Sequence, residues 1–152
     1  MSIVFKAVDN RRPGLTYDKD AHHKLARKIA TESMVLLKND DKILPLKKEG
    51  KIAIIGAFAK QPRYQGGGSS HVNPTKLDNA FEEIQKIVQG NAEILYEDGY
   101  KIDSEEIDQS LIQRAVEIAK NSNVAIVFAG LPEHYESEGY DRKHMSLPEA
   151  HN

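Results

Sequence analysis

The sequence contains no cysteine. That excludes a disulfide frame and fits a reducing compartment. No apolar run is long enough to span a bilayer, and the N-terminus lacks a signal-peptide pattern. A cytoplasmic protein without a membrane partner is therefore expected. Charge of one sign is also missing: acids and bases are interleaved and the net charge is −2, so no basic face advertises nucleic acid. Neither HExxH nor a Cys/His ligand spacing occurs, and no GxSxG elbow follows any apolar run. No metal and no cofactor are expected on these grounds. There is no internal repeat and no low-complexity tract. What remains is a chain of 152 residues with 39% hydrophobic and 29% charged side chains, long enough to bury a real core as one soluble domain.

The apolar residues fall into alternating periods. In "DAHHKLARKIATESMVLLKND", Leu25, Ile29, Leu36 and Leu37 form one helical stripe, which predicts a helix from Asp18 or Asp20 to Lys38. "NDDKILPL" breaks it, with Pro45 fixing an extended connection. "KIAIIGA" is short, β-branched and nearly continuous, the pattern of a strand covered on both faces. "PTKLDNAFEEIQKIVQG" predicts a second helix, capped by Thr75 and ended by Gly90, with Leu77, Ala80, Phe81, Ile84 and Val88 inside. "AEILYE" follows as a strand. "DSEEIDQSLIQRAVEIAKNS" predicts a helix with Ile107, Leu111, Ala115 and Ile118 inward, and "NVAIVFAG" a third strand.

The order α-β-α-β-α-β leaves crossovers that suit only parallel strands. The expected fold is α/β, a three-layer α/β/α sandwich with a mainly parallel, doubly wound sheet. Two connections are far longer than the usual 2–6 residues or so, residues 58–74 and 131–147. Both leave the C-terminal ends of strands, where open α/β sheets bind ligands. "SLPEAHN" resembles the first turn of a further helix, so a partial domain of a longer protein is expected.

Three constellations invite chemistry. The glycine-rich "RYQGGGSSHVNPT" could nest an anion or admit a bulky polar ligand close to the backbone. It matches neither GxGxxG nor GxxxxGK[ST]. His22 and His23 are adjacent and point to different helix faces, while His134 and His144 read as surface residues. The strand ends, Gly56, Glu97 and Gly130, offer no phosphoacceptor aspartate. Most informative is "ESEGYDRKHMSLP". With Glu133 before it, four carboxylates fall within nine residues: Glu133, Glu136, Glu138 and Asp141. Crowded carboxylates raise one another's proton affinity, which suits one of them to general acid chemistry. The residues alone do not say which.

"ARKIATESMVLLKNDDKILPL", "KIAIIGAFAKQPRYQGGGSSHVNP" and "ESEGYDRKHMSLP" together resemble the α/β-sandwich domain of family 3 glycoside hydrolases, from about Val4 to Pro148. His151 is a departure, since many members carry Gln there. The resemblance implies the acid/base-bearing domain of a retaining, exo-acting β-glucosidase that removes terminal β-D-glucosyl residues. It assigns the general acid/base to Glu138, with Glu136 and Glu133 in reserve, and implies that burial against the partner domain and its acidic neighbours keep Glu138 protonated. It places Arg63, Tyr64, Gly67, Gly68, Ser69 and Ser70 at the substrate, and makes Asp141 and Arg142 loop braces. Its substrate would be a β-glucoside or oligosaccharide. Its nucleophile would come from an upstream (β/α)8 barrel, so residues 1–17 would be a connector, residues 18–152 the sandwich domain, and the chain alone inactive. Two other functions fit the residues by themselves: a small nucleotide-binding α/β domain using the glycine loop, or a non-catalytic sugar-binding module stacking on Tyr64, Tyr135 and Tyr140.

Overall fold

A computed structural model describes residues 3–151. Contacts divide the chain into two compact units, Met1–Asp41 and Lys42–Asn152. In this division the first long helix groups with the N-terminal segment.

The N-terminal unit holds helix α1, Ile3–Asp9, and helix α2, Lys19–Glu32. Asp18 caps α2 by accepting from the Ala21 amide at 2.9 Å. The helix ends at Glu32, six residues before the expected Lys38. Thr31 and Ser33 explain the early stop: their hydroxyls donate to the carbonyls of Arg27 and Ile29, competing for backbone acceptors in the last turn. Leu36 and Leu37, expected on its stripe, therefore lie beyond the helix, and no residue of α2 is buried, with Leu25 and Ile29 each 55% exposed.

The larger unit is the α/β domain. Strands β1 (Gly50–Ile55), β2 (Ala92–Glu97) and β3 (Val124–Val127) run parallel in the order β2-β1-β3. Ile52 pairs with Ile94 on one side and Val124 on the other. One face of the sheet carries Ile52, Ile54, Ile94, Tyr96, Val124 and Ile126, packed against Phe81, Ile84 and Val88 of helix α3, Ala80–Val88. Ile54 is wholly buried, worth about 1.5–3 kcal/mol of hydrophobic stabilisation. Strand alternation sends Ala53 and Ile55 to the opposite face. There they meet helix α4, Gln109–Lys120, which buries Leu111 and Ala115. The three-layer arrangement expected from the sequence is therefore present. Over β3 that second face is bare, with Val127 65% exposed.

Two helix starts differ from expectation. Asn79, not Thr75, caps α3 by accepting from the Glu82 amide at 2.9 Å. The chain between them stays extended because it is still returning from the long loop. Asp108 caps α4, accepting from the Ser110 and Leu111 amides. Ile107 consequently precedes the helix and stays 52% exposed instead of joining its inner face. At the far end of α3, Gln89 takes the left-handed step (φ 49°) just before Gly90. Among the described residues, no helix is long and apolar enough to cross a membrane.

Candidate active site

The strand order sets the site. β2 and β3 flank β1 on opposite sides, so the chain reverses its direction of winding between β1 and β3. The crevice at the carboxyl ends of such a pair is the usual ligand position in open α/β sheets. The two long loops leave from these ends. Gly56 lets them diverge: its φ is +118°, and a Cβ there would stand 2.1 Å from the Phe128 carbonyl oxygen. The same carbonyl accepts from the Tyr100 hydroxyl at 2.6 Å.

The loops then dock on each other. Arg63 directs Nη1 to the Leu131 carbonyl (3.2 Å) and Nη2 to the Glu136 carbonyl (2.8 Å). Gln65 staples the base of the glycine-rich loop, donating to the Val72 carbonyl and accepting from the Val72 amide. Ser70 donates back to Gly67 O at 2.8 Å. His71 Nε2 lies 3.1 Å from Glu133 Oε1. The glycines make room for the acidic loop: a Cβ on Gly67 would fall 1.9 Å from Ser137 Oγ, and one on Gly68 would fall 2.9 Å from Glu138 Oε2. The close approach foreseen for a bulky ligand is thus made by the chain itself.

Glu138 sits at the tip of a tight turn. Ser137 and Tyr140 exchange backbone hydrogen bonds at 3.2 and 3.3 Å, leaving Glu138 and Gly139 between them. Gly139 has φ +94°, a step that favours glycine at the third position of a turn. The turn pushes the Glu138 side chain outward, where Oε2 accepts from the Ser69 hydroxyl at 2.5 Å and the Ser69 amide at 3.1 Å. The hydroxyl first and the amide second hold the carboxyl below the usual glutamate range. In this chain Glu138 is exposed, and its surroundings here favour the ionised form.

Its neighbours differ. Glu136 Oε2 lies 3.4 Å from Arg142 Nε, and the Arg142 amide donates to Asp141 Oδ1 at 2.8 Å, so both contacts stay within the acidic loop. With Glu133 beside His71, Glu138 is the one of the three glutamates without a basic side chain within 4 Å among the described residues. Arg63 and Ser70, both expected at the substrate, also hydrogen-bond loop carbonyls, Arg63 through one N–H on each terminal nitrogen. Tyr64 is half exposed beside Gln65, whose Nε2 donates to its hydroxyl. Tyr140 donates to the Glu133 carbonyl, and Tyr135 donates to Glu105, which pushes its hydroxyl up to about 12. His71 and Ser137 were not foreseen; the position of His71 directly after "GGGSS" was the available signal.

Arg63, Ser69, Ser70, Glu136, Ser137 and Glu138, with Gly66 and Gly67, line a cavity of about 380 Å³. A larger hollow of about 600 Å³ lies at the opposite end of the strands, beside Ile43, Leu46 and Asn123. The smaller one holds the carboxylates and lies at the switch point, and it is the candidate site. Among the described residues, no group of three or more histidines and carboxylates could hold a metal ion. An exposed carboxylate facing open space can take and return a proton, and that is the chemistry this arrangement offers.

Comparison with known proteins shows which family this arrangement belongs to. Residues 34–152 match the Glycosyl hydrolase family 3 C-terminal domain. The chain is 55% identical over 152 residues to a thermostable beta-glucosidase B of Acetivibrio thermocellus, covering 100% of this chain and 20% of that protein. It is 43% identical to an exo-alpha-(1->6)-L-arabinopyranosidase of Bifidobacterium longum, covering 93% and 19%. The crystal structure of a Bifidobacterium adolescentis GH3 beta-glucosidase superposes with a TM-score of 0.82 at 44% identity, covering 92% of this chain and 20% of that one. The chain therefore spans about a fifth of the length of these relatives. With its fold, its loops and its sequence in agreement, the chain belongs to the family of glycosyl hydrolase family 3 C-terminal domains.

Proposed function

We propose that this chain supplies the proton-transferring half of a retaining, exo-acting β-glucosidase, with Glu138 as general acid/base. The observation that carries the proposal is the outward-facing Glu138 carboxylate, with no basic side chain within 4 Å among the described residues, at the switch point of the sheet. A retaining glycosidase needs two carboxyl groups about 5–5.5 Å apart across the anomeric carbon. One attacks the sugar. The other protonates the departing oxygen and then takes a proton from the incoming water. Glu133 lies beside His71 and Glu136 beside Arg142, so both side chains are engaged within the loops.

The nucleophile is assigned to a (β/α)8 barrel in the same polypeptide, with residues 1–17 leading from it. Relatives about five times as long leave room for such a module. The sugar would then lie between the two, a common location for binding sites.

The test is azide rescue in an enzyme carrying this domain. Glu138→Gly, Glu136→Gln and Glu133→Gln are assayed separately on an aryl β-glucoside with a good leaving group. Azide restores turnover only where the acid/base was removed. Rescue at Glu136 or Glu133 in place of Glu138 moves the assignment.

A second substrate reading, hydrolysis of L-arabinopyranosides, is favoured by the 43% identity to the Bifidobacterium longum enzyme. Parallel assays on aryl β-D-glucopyranoside and aryl α-L-arabinopyranoside separate the two.

A further inference from the structure

Several observations meet at Ser69. Its hydroxyl and its amide both donate to one carboxylate oxygen, Glu138 Oε2. It lies on the single turn Gly68–Ser70, and Gly68, with φ +67°, brings the backbone close enough for both donors to converge. Among the described residues, no other acceptor in the cavity takes them. Arg63 is occupied by two carbonyls, Glu136 lies beside Arg142, and Glu133 lies beside His71.

We infer that Ser69 is the positioning residue of Glu138, and that its two donors hold the carboxylate in place and favour its ionised form. The inference rests on the acid/base assignment above and adds the control of its proton. Two hydrogen bonds to one oxygen are stronger when that oxygen bears charge. Double displacement needs the carboxyl protonated in its first half and ionised in its second. Ser69 favours the second form. The acid form therefore becomes populated when Oε2 leaves Ser69, as when a glycosidic oxygen approaches the carboxyl. The lowered proton affinity of Glu138, caused chiefly by the Ser69 hydroxyl, agrees with this geometry.

The test follows the Glu138 side-chain carboxyl carbon by NMR in the 152-residue chain as pH is lowered. In the parent chain Glu138 titrates below the ordinary glutamate range. Ser69→Ala moves its midpoint upward, and Ser69→Thr, which keeps a hydroxyl, restores it. Should Ser69→Ala fail to fold, the Ser69 amide proton serves instead: it follows the Glu138 titration in the parent and becomes flat in Glu138→Gln. An identical Glu138 midpoint in parent and Ser69→Ala, or a Ser69 amide indifferent to Glu138, overturns the inference. Azide rescue judges the acid/base assignment independently, so the two can fail separately. If both hold, Ser69→Ala in the longer enzyme moves the basic limb of the kcat/KM profile to higher pH.

Discussion

Arg63 and Glu136 are joined through the backbone and not through charge. The guanidinium donates to the Glu136 carbonyl at 2.8 Å, while its other terminal nitrogen reaches the Leu131 carbonyl at 3.2 Å. One rigid fork thus fixes two points of the acidic loop, five residues apart, to the loop after β1. The Glu136 carboxylate is left to Arg142.

Arg63→Lys is expected to loosen the loop without unfolding the domain. An ammonium is a point charge and cannot span both carbonyls with the same geometry. Amide exchange should accelerate across residues 132–142 while the strand amides keep their protection. In an enzyme carrying the domain, displacing a catalytic group by about 1 Å can cost about 10²-fold in rate. A fall of that order in kcat with unchanged exchange in β1 is the expected result. Unchanged exchange in the loop would show that other contacts hold it.

Gly67→Ala tests the docking of the two loops more locally. Gly67 has an ordinary φ of −87°, so alanine there meets no backbone strain. The main obstacle is Ser137, whose Oγ and Cβ would lie 1.9 and 3.0 Å from the new methyl; Glu133 Oε1, at 2.7 Å, is the end of a flexible side chain and can swing aside. Gly67→Ala alone should push the Glu138 turn away and abolish the NMR coupling between Ser69 and Glu138. Adding Ser137→Gly should restore it. Residues in contact commonly couple by about 0.5–3 kcal/mol, and a cycle of urea unfolding measurements reads that term directly.

Asp108 gives a pH-dependent prediction. The Ser110 hydroxyl, the Lys101 ammonium and the Leu111 amide lower its carboxyl from 3.8 to about 2. A depressed folded-state value means stabilisation that is fully present above the unfolded value and lost as pH falls through the folded one. The gap in unfolding midpoint between the parent and Asp108→Ala should therefore be constant above pH of about 5 and close between about 4 and 2. Asp108→Asn should narrow the gap at neutral pH, because asparagine also caps helices well.

The parts of this molecule that were legible in the sequence are those governed by period and composition. "KIAIIG" could only be a strand covered on both faces, and Ile52, Ala53 and Ile54 are all buried. The long loops at the strand ends followed from where the periodic segments stopped. Helix ends were less legible because several capping residues compete within a few positions. Thr75 and Asn79 are both competent caps, and the path of the returning chain chose between them. In the site, residue types were legible but their partners were not. Arg63 finds its acceptor 68 residues away, on a backbone carbonyl that every residue possesses. Ser69 was placed at the substrate, but its pairing with Glu138 was not foreseen. Sequence spacing carries no information about such a meeting, which depends on strand order.

Gly56 and Gly139 separate steric from conformational demands on the same pair of loops. Both have positive φ, +118° and +94°, so alanine at either position is strained by about 1–3 kcal/mol. At Gly139 nothing lies within 4 Å of the added Cβ. Gly139→Ala should therefore disturb only the turn, weakening the Ser69–Glu138 contact while the unfolding midpoint falls modestly. At Gly56 the added carbon also strikes the Phe128 carbonyl, which Tyr100 already holds. Relief requires β1 and the exit of β3 to separate. Gly56→Ala should thus lower the unfolding midpoint much more than Gly139→Ala does. It should also expose the amides of Phe128 and Gly56, whose acceptors are the carbonyls of Ile55 and Glu97. Equal losses at the two glycines would mean that strain alone matters, and that the strand exits can part without cost.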